Sequence, residues 1–146
     1  MSKTNIVKFE DYEEGTSASC SKTITDADVT LFAGISGDFN PLHVNEEFAK
    51  TQMFGTRVVH GAFSSALISA VLGVHLFGPG ALYASQKVIF KKPVFIGDTL
   101  TAVATVTKKY TKEGKSGKLQ FLDVETKVLN QKNEVVTDGE AQVLIM

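Results

Sequence analysis

An acidic side chain and an imidazole lie five residues apart in the segment 37–43, which reads Gly-Asp-Phe-Asn-Pro-Leu-His. Asp38 and His43, held in one turn, can grip a single water molecule, because one group accepts a proton while the other orients the water. Asn40 adds an amide that can pin a neighbouring group, and Pro41 pushes Asn40 into an extended conformation. A plain polar turn is the alternative, since Gly, Asp, Asn and Pro favour turns. That alternative leaves His43 unexplained.

A helix is predicted immediately before this segment. Thr25 is followed three residues later by Asp28, which makes a near-capping box with Asp in place of Glu. The helix should run to about Ile35, and Gly34, Gly37 and the approach to Pro41 should end it. The Asp/His segment is therefore expected to leave a helix C-terminus.

A short second helix is predicted just after it. Asn45 is a suitable N-cap residue, because its side-chain oxygen can accept a hydrogen bond from the first turn. Glu46 and Lys50 stand at the favourable i, i+4 spacing for an ion pair.

The longest apolar stretch, residues 61–76, contains no charged residue and is predicted to be a buried core helix. Serines and His75 interrupt it, and it is short for a bilayer. Gly61 opens this helix, so its backbone N–H should point outward at the positive end of the helix dipole. The sequence Gly-Pro-Gly at 78–80 should end it.

After residue 81 the pattern changes to strands rich in Val, Thr, Phe, Ile and Leu, each bounded by a turn signal. The predicted strands cover residues 83–95, 99–111, 119–130 and 134–145, and residues 15–23 are a fifth candidate. The turns at 96–98, 113–117 and 131–133 are short, which indicates antiparallel neighbours. Pro93 places its part of the first strand at an edge, a bulge or a break in the ladder.

One apolar helix and one long antiparallel sheet predict an α+β protein with the hot-dog fold, in which the sheet curls around the helix. The alternative is a helix lying on a flat sheet. No internal repeat or linker divides the sequence, so residues 1–146 are expected to form a single domain.

Composition excludes several classes of function. Fifteen basic and sixteen acidic residues leave a net charge of -1, so no global field favours nucleic acid or an anionic membrane. The single cysteine, Cys20, cannot form an intrachain disulfide. The first residues have no apolar signal core, and a cytoplasmic location is expected.

Four segments resemble, in the same order, the MaoC-type dehydratase family, and especially its small single-domain (R)-specific enoyl-CoA hydratases. The segments are residues 38–43 (Asp-Phe-Asn-Pro-Leu-His), 59–61 (Val-His-Gly), 83–90, and 93–98 (Pro-Val-Phe-Ile-Gly-Asp). With the intervening spacing, the resemblance covers roughly residues 15–145. The Asp-x-Asn-Pro-x-His signature is much more specific than a lone glycine pattern. Thioesterases and dehydratases share the hot-dog fold, so the fold alone does not decide the function.

The resemblance implies reversible addition of water to a trans-2-enoyl-CoA, which gives an (R)-3-hydroxyacyl-CoA. It makes Asp38 and His43 the catalytic residues and leaves open which of them is the formal base. The Gly61 amide is the expected donor to the thioester oxygen, and Asn40 and Ser69 are assigned to substrate binding. No cofactor is expected, because CoA is part of the acyl-CoA substrate.

The remaining candidates have ordinary structural explanations. Ser64 and Ser65 can contact substrate or bond back to helix carbonyls. His60 and His75 are interpreted as packing residues, although an orienting role for His60 is conceivable. Three histidines without a cysteine or carboxylate at ligand spacing make a poor metal site, so no metal is predicted. Cys20 and the strand lysines receive no functional role.

Assembly and substrate leave alternatives open. The resemblance implies a homodimer or a dimer of dimers, with polyester-precursor or fatty-acid metabolism as the setting. A dehydratase for longer or carrier-protein-bound acyl chains is a close variant. A hot-dog thioesterase is a different class, but such enzymes usually carry a carboxylate on the central helix, and residues 61–76 contain none. The intact Asp/His pair weighs against a non-catalytic acyl-CoA-binding protein.

Overall fold

The computed structural model describes residues 6–115 and 117–146. The elements in those residues are β1 (Ser17–Thr23), α1 (Asp26–Ser36), α2 (Pro41–Val44), α3 (Glu46–Ala49), α4 (Gly61–Ala70), β2 (Ala81–Phe90), β3 (Thr99–Gly114), β4 (Gly117–Leu129) and β5 (Val135–Ile145). A 3-10 turn (Phe9–Asp11) precedes β1, and a π-helical segment (Val71–Leu76) follows α4. Ser116, in the predicted turn at 113–117, and residues 1–5 lie outside the described residues.

The five strands form one antiparallel sheet in the order β1-β3-β4-β5-β2. All five predicted strands are present, but the predicted strand at 83–95 is too long at its C-terminal end. The β2 ladder ends at Phe90, because Pro93 has no N–H with which to continue it. The chain leaves the sheet through two more backbone bonds, from Lys91 N and Lys92 N to the carbonyl oxygen of Val136 at 2.8 and 3.3 Å.

The sheet curves around α4 and buries its apolar side, as the hot-dog architecture requires. In the first half of β3, residues 99–106, the side chains alternate, and every second one is almost fully buried. Buried residues of α4 and the π-helical segment join these strand residues in one hydrophobic core. From the helix these are Phe63, Leu67, Ile68, Val71, Leu72 and Leu76, and from β3 they are Leu100, Ala102, Ala104 and Val106.

The central helix differs from its prediction in two ways. It is α-helical only to Ala70, and the turn that follows is π-helical: Phe77 N donates to the carbonyl oxygen of Leu72, five residues back, at 3.0 Å. The helix is also less enclosed than its composition predicts, because the small residues Ala62, Ala66 and Ser69 are exposed on one side. No helix in the described part of the chain is long and apolar enough to cross a bilayer.

The capping box of α1 is confirmed. Thr25 Oγ1 accepts a hydrogen bond from Asp28 N at 3.2 Å, and Asp28 Oδ2 accepts one from Thr25 N at 2.9 Å. The bond from the Thr25 N–H lowers the pKa of the Asp28 carboxyl, and the Thr25 hydroxyl, which donates to the same oxygen at 2.8 Å, adds to this effect. At the other end, Gly37 takes the left-handed conformation (φ 77°) and its N–H bonds to the carbonyl oxygen of Ala33. The chain thereby turns sharply into the Asp/His segment.

The second predicted cap is also confirmed, since Asn45 Oδ1 accepts a hydrogen bond from Phe48 N at 3.0 Å. The predicted Glu46–Lys50 pair is wrong. Lys50 pairs with Glu47 at 2.7 Å, whereas Glu46 turns back to Arg57 and accepts from its Nε at 3.2 Å. A long-range partner has displaced the local one.

Candidate active site

The Asp/His segment is built from nested local hydrogen bonds. Asp38 Oδ1 accepts from the N–H of Asn40 at 3.1 Å, and Asn40 Oδ1 accepts from the N–H of Leu42 at 3.0 Å. Asn40 is thus the N-cap of α2, with Pro41 at the first helical position, where its missing N–H costs nothing. The turn chemistry of the sequence therefore has a structural use: it sets His43 on a short helix next to Asp38.

His43 is anchored by its Nδ1 atom, which lies 2.7 Å from the carbonyl oxygen of Val58. A carbonyl oxygen can only accept, so Nδ1 carries the hydrogen and Nε2 of the neutral ring carries a lone pair. The N–H of Val58 in turn donates to the carbonyl oxygen of Leu42 at 3.1 Å. These two bonds hold α2 against the segment that leads into α4.

Nε2 of His43 faces Asp38 and lies 3.8 Å from its Oδ2 atom. This separation is too long for a direct hydrogen bond, but one water can reach both atoms. The His43 side chain is 13% exposed and the Asp38 side chain 52% exposed, so the pair is open to solvent on the carboxylate side. Two acceptors converge on one water position.

Gly61 begins α4 beside this pair. Its N-cap residue, His60, makes no side-chain capping bond, and the first amides of a helix have no acceptor within it. Gly61 and His43 line the same cavity of about 350 Å³. A Cβ atom at Gly61 would lie only 3.1 Å from the ring of Phe90, so glycine permits this close approach. Gly61 and His43 therefore border one space, and the donor role of the Gly61 amide stays a prediction.

The rest of the cavity wall is mostly apolar, with two hydroxyl groups and two lysines. Sequence reasoning missed Thr137 and Phe54, because only the folded sheet and loop bring them there. It preferred Ser69 over Ser64, whereas Ser64 lies one turn after Gly61 and lines the cavity. The lining residues are His43, Phe54, Val58, Val59, Gly61, Ser64, Phe90, Lys91, Lys92, Pro93, Val94 and Thr137.

Two predicted binding residues lie outside this cavity wall. Ser69 is on the exposed side of α4, and the side-chain oxygen of Asn40 is used as the cap of α2. Their assignment to substrate binding stays a prediction. A larger depression of about 760 Å³ lies on the outer face of the sheet, lined by residues such as Gln86, Lys108 and Asp123, far along the chain from the Asp/His segment.

His60 joins the Asp/His pair in the fold. One potential ligand atom from each of Asp38, His43 and His60 lies within 4.8 Å of the others, a grouping that sequence spacing did not predict. The two imidazole rings lie face to face at a tilt, with centroids 3.9 Å apart and planes at 31°, and His43 Nδ1 is bonded to the carbonyl oxygen of Val58. The fold thus brings a carboxylate and two histidines together although their sequence spacing does not, and the expectation that no metal is bound stays a prediction.

The other two singled-out residues lie apart from this site. His75 is exposed in the π-helical segment. Cys20 lies on β1, where its Sγ contacts the carbonyl oxygen of Leu67 at 4.0 Å, and burial raises the pKa of its thiol. A raised pKa makes a thiol less nucleophilic at neutral pH.

The hot-dog fold is shared by thioesterases and dehydratases, and here it carries an Asp/His pair whose histidine lines a mostly apolar cavity. Comparison with known proteins gives the family. The profile described as "MaoC like domain" matches residues 9–130. The chain therefore belongs to the MaoC-like domain family.

Several characterised relatives are similar over nearly the whole chain. The (R)-specific enoyl-CoA hydratase of Rhodospirillum rubrum is 49% identical over 137 residues, which are 94% of this chain and 90% of the relative. The 3-hydroxybutyryl-CoA dehydratase of Methylorubrum extorquens is 40% identical over 145 residues, 99% of this chain and 88% of the relative. The solved (R)-hydratase of A. caviae, described as involved in PHA biosynthesis, superposes with a TM-score of 0.85 at 36% identity, covering 94% and 99% of the two chains.

Proposed function

We propose that this protein is an (R)-specific enoyl-CoA hydratase, which adds water reversibly to a trans-2-enoyl-CoA to give an (R)-3-hydroxyacyl-CoA. The observation that carries the proposal is the 3.8 Å separation between His43 Nε2 and Asp38 Oδ2, next to the cavity that Gly61 borders. The named activities of the relatives from Rhodospirillum rubrum and A. caviae support it. The hydro-lyase class follows from this reaction.

The acid–histidine pair activates the water. One hydrogen of the water is donated to His43 Nε2 and the other to Asp38 Oδ2, which leaves an oxygen lone pair directed at C3 of the enoyl group. As the C3–O bond forms, one of the two groups takes a proton, and the electron pair of the alkene moves toward C2. A proton is then delivered to C2, so the pair returns to its starting state and H2O has been added.

The Gly61 amide stabilises the intermediate charge. Negative charge develops on the thioester oxygen while C2 awaits its proton, and an N–H at the first turn of α4 is a preorganised donor for it. Removal of one such donor typically costs about 3 kcal/mol of transition-state stabilisation. The mostly apolar side chains of the cavity wall strengthen this interaction, because they lower the local dielectric constant beside the donor.

The substrate supplies everything else that the reaction needs. CoA enters and leaves as part of the thioester, so the proposed reaction uses no separate cofactor and no metal. Lys91 and Lys92 line the cavity, although each is paired with a carboxylate, at 3.5 Å to Asp138 and 2.6 Å to Glu134. Asn40 and Ser69 remain proposed substrate-binding residues, and the expected location is cytoplasmic.

A homodimer is the proposed assembly. Strand β2 is an edge of the sheet, and an unpaired edge invites pairing with another chain. Leu82, Ile89 and Phe90 on this strand are about half exposed. The exposed small residues of α4 would let a second chain approach closely. Light scattering coupled to size-exclusion chromatography checks this: a mass of one chain contradicts it.

Thioester hydrolysis is the competing activity, and one assay separates the two. Purified protein is added to crotonyl-CoA, loss of the enoyl absorbance is followed, and the product is analysed on a chiral column. Hydration gives (R)-3-hydroxybutyryl-CoA without free thiol. Release of free CoA without a hydroxyacyl product would instead identify a thioesterase, and a carrier-protein-bound substrate tested in parallel resolves the dehydratase variant.

A further inference from the structure

His60 is buried at the centre of the site, yet the proposed chemistry gives it no task. It is 2% exposed and stands between Val59 and Gly61. His60 is the N-cap residue of α4, a position from which a side chain can accept a hydrogen bond from an N–H of the first turn. The His60 side chain makes no such bond. The ring points instead toward the Asp/His segment. A buried polar side chain that forgoes the local bond has a partner elsewhere.

That partner is the backbone of Asp38, whose carboxylate belongs to the proposed catalytic pair. His60 Nε2 lies 2.9 Å from the carbonyl oxygen of Asp38. A carbonyl oxygen has no hydrogen to give, so Nε2 is the donor and the neutral ring is the Nε2–H tautomer. The other nitrogen, Nδ1, is buried and has no hydrogen-bond partner within the described residues. The ring is therefore held by one directional bond, which reaches across 22 residues.

The same ring forms a wall of the pocket that holds His43. Its face packs against the His43 imidazole with centroids 3.9 Å apart and planes at 31°, and Phe32 packs against it with centroids 5.0 Å apart. His43 is thus fixed at its Nδ1 edge by the carbonyl of Val58 and on its face by His60. Both contacts come from the three residues that precede Gly61.

That short segment is in turn tied to the sheet side of the molecule. Val59 N donates to the carbonyl oxygen of Val94 at 2.8 Å, and Val58 forms an isolated bridge with Phe95. The segment 58–61 therefore contacts the carbonyl of Asp38 and the ring of His43, and it contains the amide of Gly61.

We propose that His60 is a positioning residue, whose Nε2–H···O=C bond to Asp38 holds the carboxylate in register with His43 and with the Gly61 amide. This inference rests on the proposed hydratase function and deepens it. Asp38 otherwise sits on a half-exposed turn that only local bonds shape. Without the bond, the carboxylate would lose its fixed distance to the imidazole, although both groups would still be present.

Three substitutions separate the bond from the packing. His60→Gln can place an amide N–H near the position of Nε2, whereas His60→Asn carries the same amide on a side chain one methylene shorter and cannot reach Asp38. His60→Phe keeps a ring against His43 but has no donor. We expect kcat for crotonyl-CoA to fall about 10- to 100-fold in the Asn and Phe variants, as loss of positioning does, and to recover most of its value in the Gln variant. KM should change little.

His75→Gln, at the exposed histidine, is the matched control and should retain wild-type kcat. Thermal midpoints are recorded for every variant. Equal losses in the Gln and Asn variants, or losses that follow the thermal midpoint, would overturn the positioning role. If wild-type protein hydrates crotonyl-CoA while the Phe and Asn variants keep wild-type kcat, the positioning role fails and the hydratase function stands. A wild-type protein without hydratase activity removes the function itself.

The tautomer provides a test that needs no variant to fold. Long-range proton–nitrogen correlation spectra of the ¹⁵N-labelled wild-type protein distinguish the two neutral forms of each histidine. His60 is expected as the Nε2–H tautomer and His43 as the Nδ1–H tautomer. An Nδ1–H tautomer at His60 would exclude the bond to Asp38 and overturn the proposal, whatever the activity data show.

Discussion

The centre of the sheet and the region around Asp38, His43 and Gly61 are held together by different forces. In the sheet, β3, β4 and β5 are joined by long antiparallel ladders, each with a single register shift, and most of their inward side chains are almost fully buried. In the site, separate segments are joined by single hydrogen bonds, such as those of His43 with Val58 and of His60 with Asp38. The Asp38 carboxylate is half exposed and buries little apolar area.

This contrast indicates that stability and activity reside in different places. Apolar burial contributes free energy in proportion to area, and most of that area is in the core. A single hydrogen bond at a half-exposed turn contributes little to stability but fixes direction and distance. We therefore expect site substitutions to reduce turnover while the fold persists, and core substitutions to do the opposite.

The largest expected effect is the loss of turnover in Asp38→Asn and His43→Asn. Asp38→Asn keeps an oxygen for the Asn40 N–H, and His43→Asn keeps a donor for the Val58 carbonyl, so the local bonds survive. Each variant loses an acceptor for the water, and kcat for crotonyl-CoA should fall about a thousandfold. The thermal midpoint should change little. Either variant with normal turnover would remove Asp38 or His43 from the site.

Leu122→Ala tests the opposite region. Leu122 is fully buried on β4, and its truncation should lower the free energy of unfolding by about 2–5 kcal/mol, through lost burial and the cavity left behind. The kcat of the folded protein should stay within about twofold, and urea denaturation gives the stability. Leu119→Ala, at a more exposed position of the same strand, is the control and should cost little. A large loss of kcat in folded Leu122→Ala would contradict the expectation that core substitutions reduce stability and leave turnover unchanged.

Gly61→Ala changes a residue at which the central helix of the core meets the candidate site. The added methyl group would meet the Phe90 ring at about 3.1 Å, and Phe90 is half exposed, so the ring can move away. Alanine is also the better helix former, so the free energy of unfolding should not fall. The methyl group nevertheless narrows the cavity beside the amide, and kcat/KM should drop about tenfold. A variant with full activity would argue that the substrate does not approach this amide.

The smallest expected effect concerns the capping box that precedes the site. The pKa of Asp28 is lowered in the folded state, first by its bond from the Thr25 N–H. Its contribution to stability is therefore present above the unfolded pKa of about 3.9 and is lost as the pH falls through the lower folded value. Asp28→Asn should reduce the free energy of unfolding by about 1 kcal/mol at pH 7. In urea denaturation the difference from wild type should shrink toward pH 3, and a constant difference would contradict this explanation.

Local patterns predicted the fold well because the forces that decide it are local or periodic. The capping box at Thr25, the cap at Asn45 and the alternating burial of the strands all follow from neighbouring residues. The proximity of Asp38 and His43 could be predicted for the same reason, because a turn with a proline brings two groups five residues apart together. The hot-dog fold followed from one apolar helix and a long antiparallel sheet.

Predictions that required distant partners fared less well. Glu46 pairs with Arg57 instead of Lys50, and β2 stops before Pro93. His60 reaches Asp38 across 22 residues, which no spacing rule anticipates. Ser64 and Thr137 line the cavity because of how α4 and β5 meet, and this meeting is a property of the packed molecule. Sequence alone therefore predicted the proximity of Asp38 and His43 but not the wall of the cavity beside them.

A crystal structure with bound (R)-3-hydroxybutyryl-CoA would show whether Asp38, His43 and Gly61 act on one substrate. We expect the 3-hydroxyl oxygen within hydrogen-bond distance of both Asp38 Oδ2 and His43 Nε2, with the thioester oxygen on the N–H of Gly61. A hydroxyl group that touches neither side chain, or a thioester oxygen turned away from that amide, would contradict this expectation.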